Sequence, residues 1–187
     1  MKHRTVSIAV VAALVFSGAT ACGNSEPSSN PSPQKAAPSS LLQTPSTPTP
    51  RELKAGQTIS VTSEDGPADI TLLATARTTS IGTAKPDAGE QFLVYTMQVK
   101  NLSETEWDTY WLGSPRWVGS NGEAVNPTFV AGPTDPELIP YSPFSSTPEP
   151  RPGEHVKATQ VLQVPNTAGT LQFEDDSGNR QFSIVFR

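Results

Sequence analysis

Few side chains in this sequence have the type and spacing that covalent chemistry requires. Histidine occurs twice, at His3 and His155, and cysteine once, at Cys22. A Ser-His-Asp device would have to be built on His155. That residue follows Arg151-Pro152-Gly153-Glu154, which reads as a turn opening a strand, so a solvated loop histidine is expected. With so few soft ligands the chain cannot assemble the His/Cys sets that hold zinc or copper, and no metal or cofactor is expected. Glu106 and Asp108 flank Trp107. Glycoside cleavage needs two carboxylates held apart across a cleft, and nothing in this spacing defines one; a solvated rim is expected. Glu174-Asp175-Asp176-Ser177-Gly178-Asn179 lacks the alternating oxygen ligands and closing Glu of a calcium loop, and reads as a hairpin turn.

What positions Cys22 is the segment before it. Lys2 and Arg4 precede an apolar run, Val6 to Phe16, and then the small residues Ser17-Gly18-Ala19-Thr20-Ala21. This is the layout of a secretory signal peptide over 1–21, on the general rather than the twin-arginine route. The apolar run falls well short of the ~20 residues that span a bilayer, and no later run is long enough either. Ala19-Thr20-Ala21-Cys22 resembles the bacterial lipobox, in which the cysteine becomes residue one and carries a diacylglyceryl thioether. Ala19 stands where that motif prefers Leu, and Ala19-Thr20-Ala21 also suits the ordinary signal peptidase. The resemblance implies that Cys22 anchors the chain to the outer face of the cell membrane. A freely secreted protein with one thiol is the alternative, and a lone exposed thiol is a liability in an oxidising compartment.

From 22 to 51 the chain reads as a disordered tether. It holds seven prolines among Ser, Thr, Asn and Gln, with Leu41-Leu42 as its larger apolar pair. Such a composition cannot bury enough apolar surface to offset the entropy of ordering. Its reach is roughly 30 Å as a coil and about 85 Å if extended. Without Lys2 and Arg4 the chain keeps 18 acidic residues against 11 of its 13 basic ones. That excess repels nucleic acid, which is excluded as a partner.

Residues 52–187 form one domain by length, large enough to stand on its own core without a disulfide or a metal. Apolar residues recur with period two rather than 3.6. Thr58-Ile59-Ser60-Val61-Thr62 alternates; Ile70, Leu72, Ala74 and Ala76 share a face, as do Leu93, Tyr95, Met97 and Val99. Later runs carry Val156, Ala158, Leu162 and Val164, then Leu171 and Phe173, then Phe182, Ile184 and Phe186. Glu64-Asp65-Gly66, Asn121-Gly122 and Asp176-Ser177-Gly178-Asn179 supply turns between them. The pattern predicts an all-β fold, an antiparallel immunoglobulin-like β-sandwich of about seven or eight strands.

Some of these residues also form a familiar set. The run from Gly89 to Asn101, ending Val99-Lys100-Asn101 and followed by Leu102-Ser103-Glu104-Thr105, resembles a strand of small immunoglobulin-like domains in secreted bacterial lipoproteins of actinobacterial type. Ser120-Asn121-Gly122-Glu123 is similar to the next hairpin of that family. Pro152-Gly153-Glu154 and Val161-Leu162-Gln163-Val164-Pro165 are similar to a later segment. The resemblance spans roughly 58–187 and implies the sandwich fold, but it brings no catalytic residues, since the family is largely of unknown function. The Trp-rich segment and a long proline-rich insertion depart from it.

Those departures are where function is expected. In Glu104-Thr105-Glu106-Trp107-Asp108-Thr109-Tyr110-Trp111-Leu112 an extended chain would point Trp107 and Trp111 one way, Tyr110 and Leu112 the other. A sandwich strand has one core face, so the second is either covered or a binding surface. Residues 127–152, with eight prolines and Phe129, Val130, Leu138, Ile139, Tyr141 and Phe144, are the expected cover. If the face is open, Trp107, Tyr110, Trp111, Trp117 and Tyr141 form an aromatic surface for an envelope protein or glycan. The expectation is a non-enzymatic, lipid-anchored binding or accessory module of the cell envelope. An envelope hydrolase using Glu106 and Asp108, and a structural spacer without a ligand, are the competing readings.

Overall fold

The computed structural model describes residues 51–187 apart from Asp176. The expectations for the leader, Cys22 and the tether lie outside the described residues, except that Arg51, read as the end of the tether, is paired with Phe182 as part of the domain. Ten strands follow one another: β1 (Arg51–Glu52), β2 (Thr58–Ser63), β3 (Gly66–Thr78), β4 (Glu90–Asn101), β5 (Arg116–Gly119), β6 (Ala124–Val125), β7 (Thr128–Phe129), β8 (His155–Pro165), β9 (Gly169–Glu174) and β10 (Arg180–Phe186). Single 3₁₀ turns occupy Tyr110–Gly113 and Phe144–Ser146. The strands form two five-stranded sheets, β1-β10-β9-β5-β6 and β2-β3-β4-β8-β7. Every pairing is antiparallel except the short parallel contact of β1 with β10. The fold is the expected all-β sandwich.

The alternation read in the sequence faces the two sheets together. Leu93, Tyr95, Met97 and Val99 of β4 and Ala158, Leu162 and Val164 of β8 meet Leu171, Phe173, Phe182, Ile184 and Phe186 of the opposite sheet in one core. Phe173 and Phe182 stack at 4.4 Å, and Tyr95 meets Phe173 edge-on at 5.5 Å. Such contacts add to the area-driven stabilisation of large aromatic groups.

One expected face is broken. Ile70 and Leu72 point into the core, but the register of β3 against β4 slips between Leu72 and Ala74. Leu72 stands opposite Met97, whereas Ala74 stands opposite Thr96 and Ala76 opposite Val94. The extra residue, Leu73, is a β-bulge, and a one-residue slip sends the following side chains to the other face. Ala74 and Ala76 therefore lie on the outer surface of the sheet rather than beside Leu72.

Asn101, the last residue of β4, ties the strands to the connection that follows. Its side-chain amide donates to the carbonyls of Thr105 (2.6 Å) and Pro150 (2.8 Å) and accepts from the Ser103 N–H (2.7 Å). The Trp107 N–H also donates to Pro150. A fully buried amide with its donors and acceptor engaged fixes that loop against the sandwich end. Gly66 completes the fit: its φ is +105°, and a Cβ there would stand 2.8 Å from the Ser103 Cβ.

Candidate functional site

The Trp-rich segment does not run as a strand. The Asp108 carboxylate accepts the Tyr110 N–H at 2.7 Å, and this local bond starts the 3₁₀ turn over Tyr110–Gly113. Turning the chain brings Trp107, Trp111 and Leu112 all to the inside and leaves Tyr110 outside, 64% exposed. Trp107 and Trp111 are 5.7 Å apart between ring centres, and Trp111 reaches Phe182 at 6.3 Å. The Trp107 indole N–H donates to the Gly66 carbonyl at 3.1 Å. Trp117, on β5, is buried against Phe186 at 6.3 Å. The expected aromatic surface is corrected accordingly: Trp107, Trp111 and Trp117 belong to the core. Only Tyr110 and Tyr141 of that set reach solvent.

The 127–152 segment does fold over a sheet, but over a different face. Val130, Leu138 and Ile139 pack on Ile81, Phe92, Val94 and Val161, the outward residues of β4 and β8 and a bridge beside them. Phe144 turns inward and joins the main core. The signal for this second core was the unbroken apolar run Phe92-Leu93-Val94-Tyr95, the mark of a strand buried on both faces. Period-two alternation accounts for one face only.

Where the segment stops covering the sheet, a groove of about 230 Å³ remains. Ala74, Ala76 and Val94 form its floor, and Leu138, Pro140 and Tyr141 its wall. The Leu73 bulge creates it. Two alanines occupy outward positions where larger side chains would fill the space, and Leu73 itself stands 38% exposed at the rim. Tyr141, also 38% exposed, is held by the Lys157 ammonium 5.5 Å from its ring centre. The polar groups of the groove are few. Thr96 spends its hydroxyl on Thr159 at 2.9 Å, leaving Thr75 and Glu137. The groove offers apolar contact and little directed hydrogen bonding.

Among the described residues, those considered for catalysis share no hydrogen bond with one another. Glu106 pairs with Arg151 at 3.1 Å in solvent, and the Asp108 carboxylate is engaged in its turn. His155 is exposed at the start of β8. Asp175 accepts the Asn179 N–H at 2.8 Å and the Gln181 amide at 2.7 Å, so it closes the β9–β10 hairpin. Among the described residues, no group of three or more His, Cys, Asp or Glu is placed to share a metal ion. A polar cleft of about 480 Å³ on the other sheet is lined by Ser114, Arg116, Asn126, Gln172 and Glu174. Its single carboxylate, Glu174, lies 3.9 Å from Arg180.

No protein-family model and no curated protein matches this sequence. Among solved structures, the chain is similar to the secreted protein MPT63 from Mycobacterium tuberculosis, with 14% identity, 74% of this chain and 99% of that one covered, and a TM-score of 0.50. It is also similar to an uncharacterised β-sandwich protein from Clostridium difficile 630, at 15% identity, covering 74% and 95% of the two chains with a TM-score of 0.49. A predicted lipoprotein from Staphylococcus aureus matches at 6% identity, over 70% and 93%, with a TM-score of 0.48. At 14% identity what this chain shares with MPT63 is the fold.

Proposed function

We propose that this protein is a lipid-anchored, extracytoplasmic binding module that holds an apolar segment of an envelope protein in the groove beside Tyr141. The observation that carries the reading is the groove itself: small residues at its floor, exposed Leu73 and Tyr141 at its rim, and a mostly apolar lining. At about 230 Å³ it is smaller than the ~300–1,000 Å³ of small-molecule sites, which suits one or two inserted side chains. Aromatic and aliphatic anchors in such hollows carry most protein-binding energy. A glycan would ask for converging hydrogen-bond groups that the groove lacks. The leader and lipobox-like Ala19-Thr20-Ala21-Cys22 support the address, and the fold shared with a secreted mycobacterial protein is compatible with it. The separate engagement of Glu106 by Arg151 and of Asp108 by the Tyr110 N–H supports a non-enzymatic role.

The test is photo-cross-linking in intact cells of the native host. A photoreactive residue at Leu73 should give a protein adduct, whereas one at Val185, exposed to 36% on the opposite sheet, should not. Cys22→Ala should release the protein from membranes to the medium and deplete the Leu73 adduct. Equal labelling at both positions, or none at Leu73, rejects the groove. Unchanged membrane retention of Cys22→Ala rejects the anchor.

A further inference from the structure

We propose that two copies of this chain associate through β2, edge to edge, to make one continuous sheet across the pair. Each sheet of a sandwich has two edges whose unpaired N–H and C=O groups can template another strand, and soluble proteins usually blunt them. Three of the four edges here are blunted by length, since β1, β6 and β7 have two residues each. The fourth is not. Strand β2 has six residues, Thr-Ile-Ser-Val-Thr-Ser, with no charge, no proline and an uninterrupted register against β3.

Its outward groups follow from the hairpin. Ser63 pairs with Gly66 across the two-residue turn Glu64-Asp65, and the Gln57 carbonyl accepts the Leu72 N–H at 3.1 Å. Inward bonding therefore falls on residues 57, 59, 61 and 63, because hydrogen-bonded and non-bonded positions alternate in an antiparallel ladder. Pro67, which has no N–H, stands opposite Thr62, an outward position, so the ladder loses no bond there. Thr58, Ser60 and Thr62 direct their backbone groups away from the sheet. Among the described residues, no backbone group outside the ladder bonds to them.

A second copy fits this edge in one register better than in any other. Antiparallel pairing with Ser60 on the two-fold axis sets Thr58 against Thr62 of the second copy, and so uses all three outward residues of each strand. In that register Ile59, only half-buried in one copy, lies opposite Val61 of the other and gains cover at the rim of the core. It also brings the acidic Glu64-Asp65 turn of one copy beside the Lys54–Gln57 turn of the other. Lys54 is exposed and its own pairing with Glu52 is a loose 4.0 Å contact. An isologous contact supplies this charge match twice. The inference is independent of the groove reading, since it concerns a different strand and edge.

The experiment uses residues 22–187 produced without acylation, kept reduced so that the free Cys22 thiol cannot bridge copies. Sedimentation equilibrium should report a concentration-dependent mass reaching twice that of one chain. Ser60→Lys places a charge on the axis and should raise the dissociation constant at least about tenfold, with an unchanged far-ultraviolet spectrum. Lys54→Glu should weaken it by less. In a Cys22→Ser background, Ser60→Cys should oxidise to a covalent dimer, because opposed bonded residues sit at about 5.5 Å between Cα atoms, within disulfide range. That readout does not depend on the Lys variant folding. A monomer at every attainable concentration overturns the proposal. So does a dimer that is indifferent to Ser60→Lys and leaves Ser60→Cys uncross-linked, which would place the contact elsewhere.

Discussion

Two stretches of this chain look alike in sequence and end up on opposite sides of the same wall. Residues 103–113 and 127–146 both follow strands, both carry large apolar side chains, and neither shows a period of its own. The first is drawn inward. Asn101 and the carbonyls of Gly66 and Pro150 fix its backbone and the Trp107 indole, and its tryptophans close the gap between the sheets. The second, apart from Phe144, which joins the main core, lies outside, caps a smaller core on the outer face of β4 and β8, and leaves an open groove beside it. The difference teaches that apolar content in a loop sets how much surface it buries. Which face it buries is set by the polar groups that anchor its backbone.

Removing the inward anchor has the largest expected effect. Trp107→Ala should destabilise the fold by about 3–5 kcal/mol, the usual cost of emptying a fully buried aromatic site, and it also leaves the Gly66 carbonyl without its indole donor. Urea unfolding followed by Phe and Tyr signals would measure it. A loss below about 1 kcal/mol would mean that the segment is not part of the core.

Tyr95 sharpens the same point with a smaller effect. Its hydroxyl donates to the Leu112 carbonyl at 2.6 Å, tying β4 to the 3₁₀ turn. Tyr95→Phe leaves that carbonyl unpaired and should cost about 1–3 kcal/mol. Burial pushes the Tyr95 phenol well above its usual value of 10.0. The folded protein then keeps a proton that the unfolded chain has lost. Stability from this source is complete below the unfolded value, near ~10, and is lost as pH rises from there through the folded value. Wild type should therefore lose stability above pH ~10 more steeply than Tyr95→Phe, by chemical denaturation at each pH. Parallel curves would assign the alkaline loss to other groups.

Much of the sandwich was legible because period-two runs ending in Gly- and Asn-containing turns leave little choice of class. The alternating runs at 58–62, 70–76, 93–99, 156–164, 171–173 and 182–186 are all in strands, and the Lys100-Asn101 ending has a physical reason in the buried Asn101 amide. The two-residue strands were not legible, being set by neighbours rather than by pattern. Strand β5 was hidden behind the Gly113-Ser114-Pro115 break. The groove was the least legible feature. It depends on one extra residue, Leu73, in a run that otherwise alternates without fault, and a bulge is fixed by pairing with β4 rather than by β3 alone. The Trp segment was misread for a related reason: alternation presumes an extended chain, and the Asp108–Tyr110 bond turns it.

The outward segment offers the smallest expected change in stability and the clearest separation of stability from binding. Tyr141 touches the fold mainly through the groove wall and the Lys157 ammonium, an exposed cation–π contact worth about 0.5–1 kcal/mol. Tyr141→Ala loses that contact and the cover of a partly exposed ring, and should cost about 1–2 kcal/mol, a fraction of the Trp107→Ala effect. If the groove holds a partner's side chain, the same substitution removes one wall and should reduce the Leu73 photo-adduct several-fold in cells. A variant that loses stability as Trp107→Ala does would make Tyr141 a core residue and erase the contrast between the two segments. One that keeps both its stability and its adduct would leave the contrast standing but move the contact away from Tyr141, toward the Leu73 rim. Loss of the adduct at that small cost in stability is the outcome that only a binding wall produces, because a side chain serving packing alone would register in the unfolding curve and leave the adduct in place.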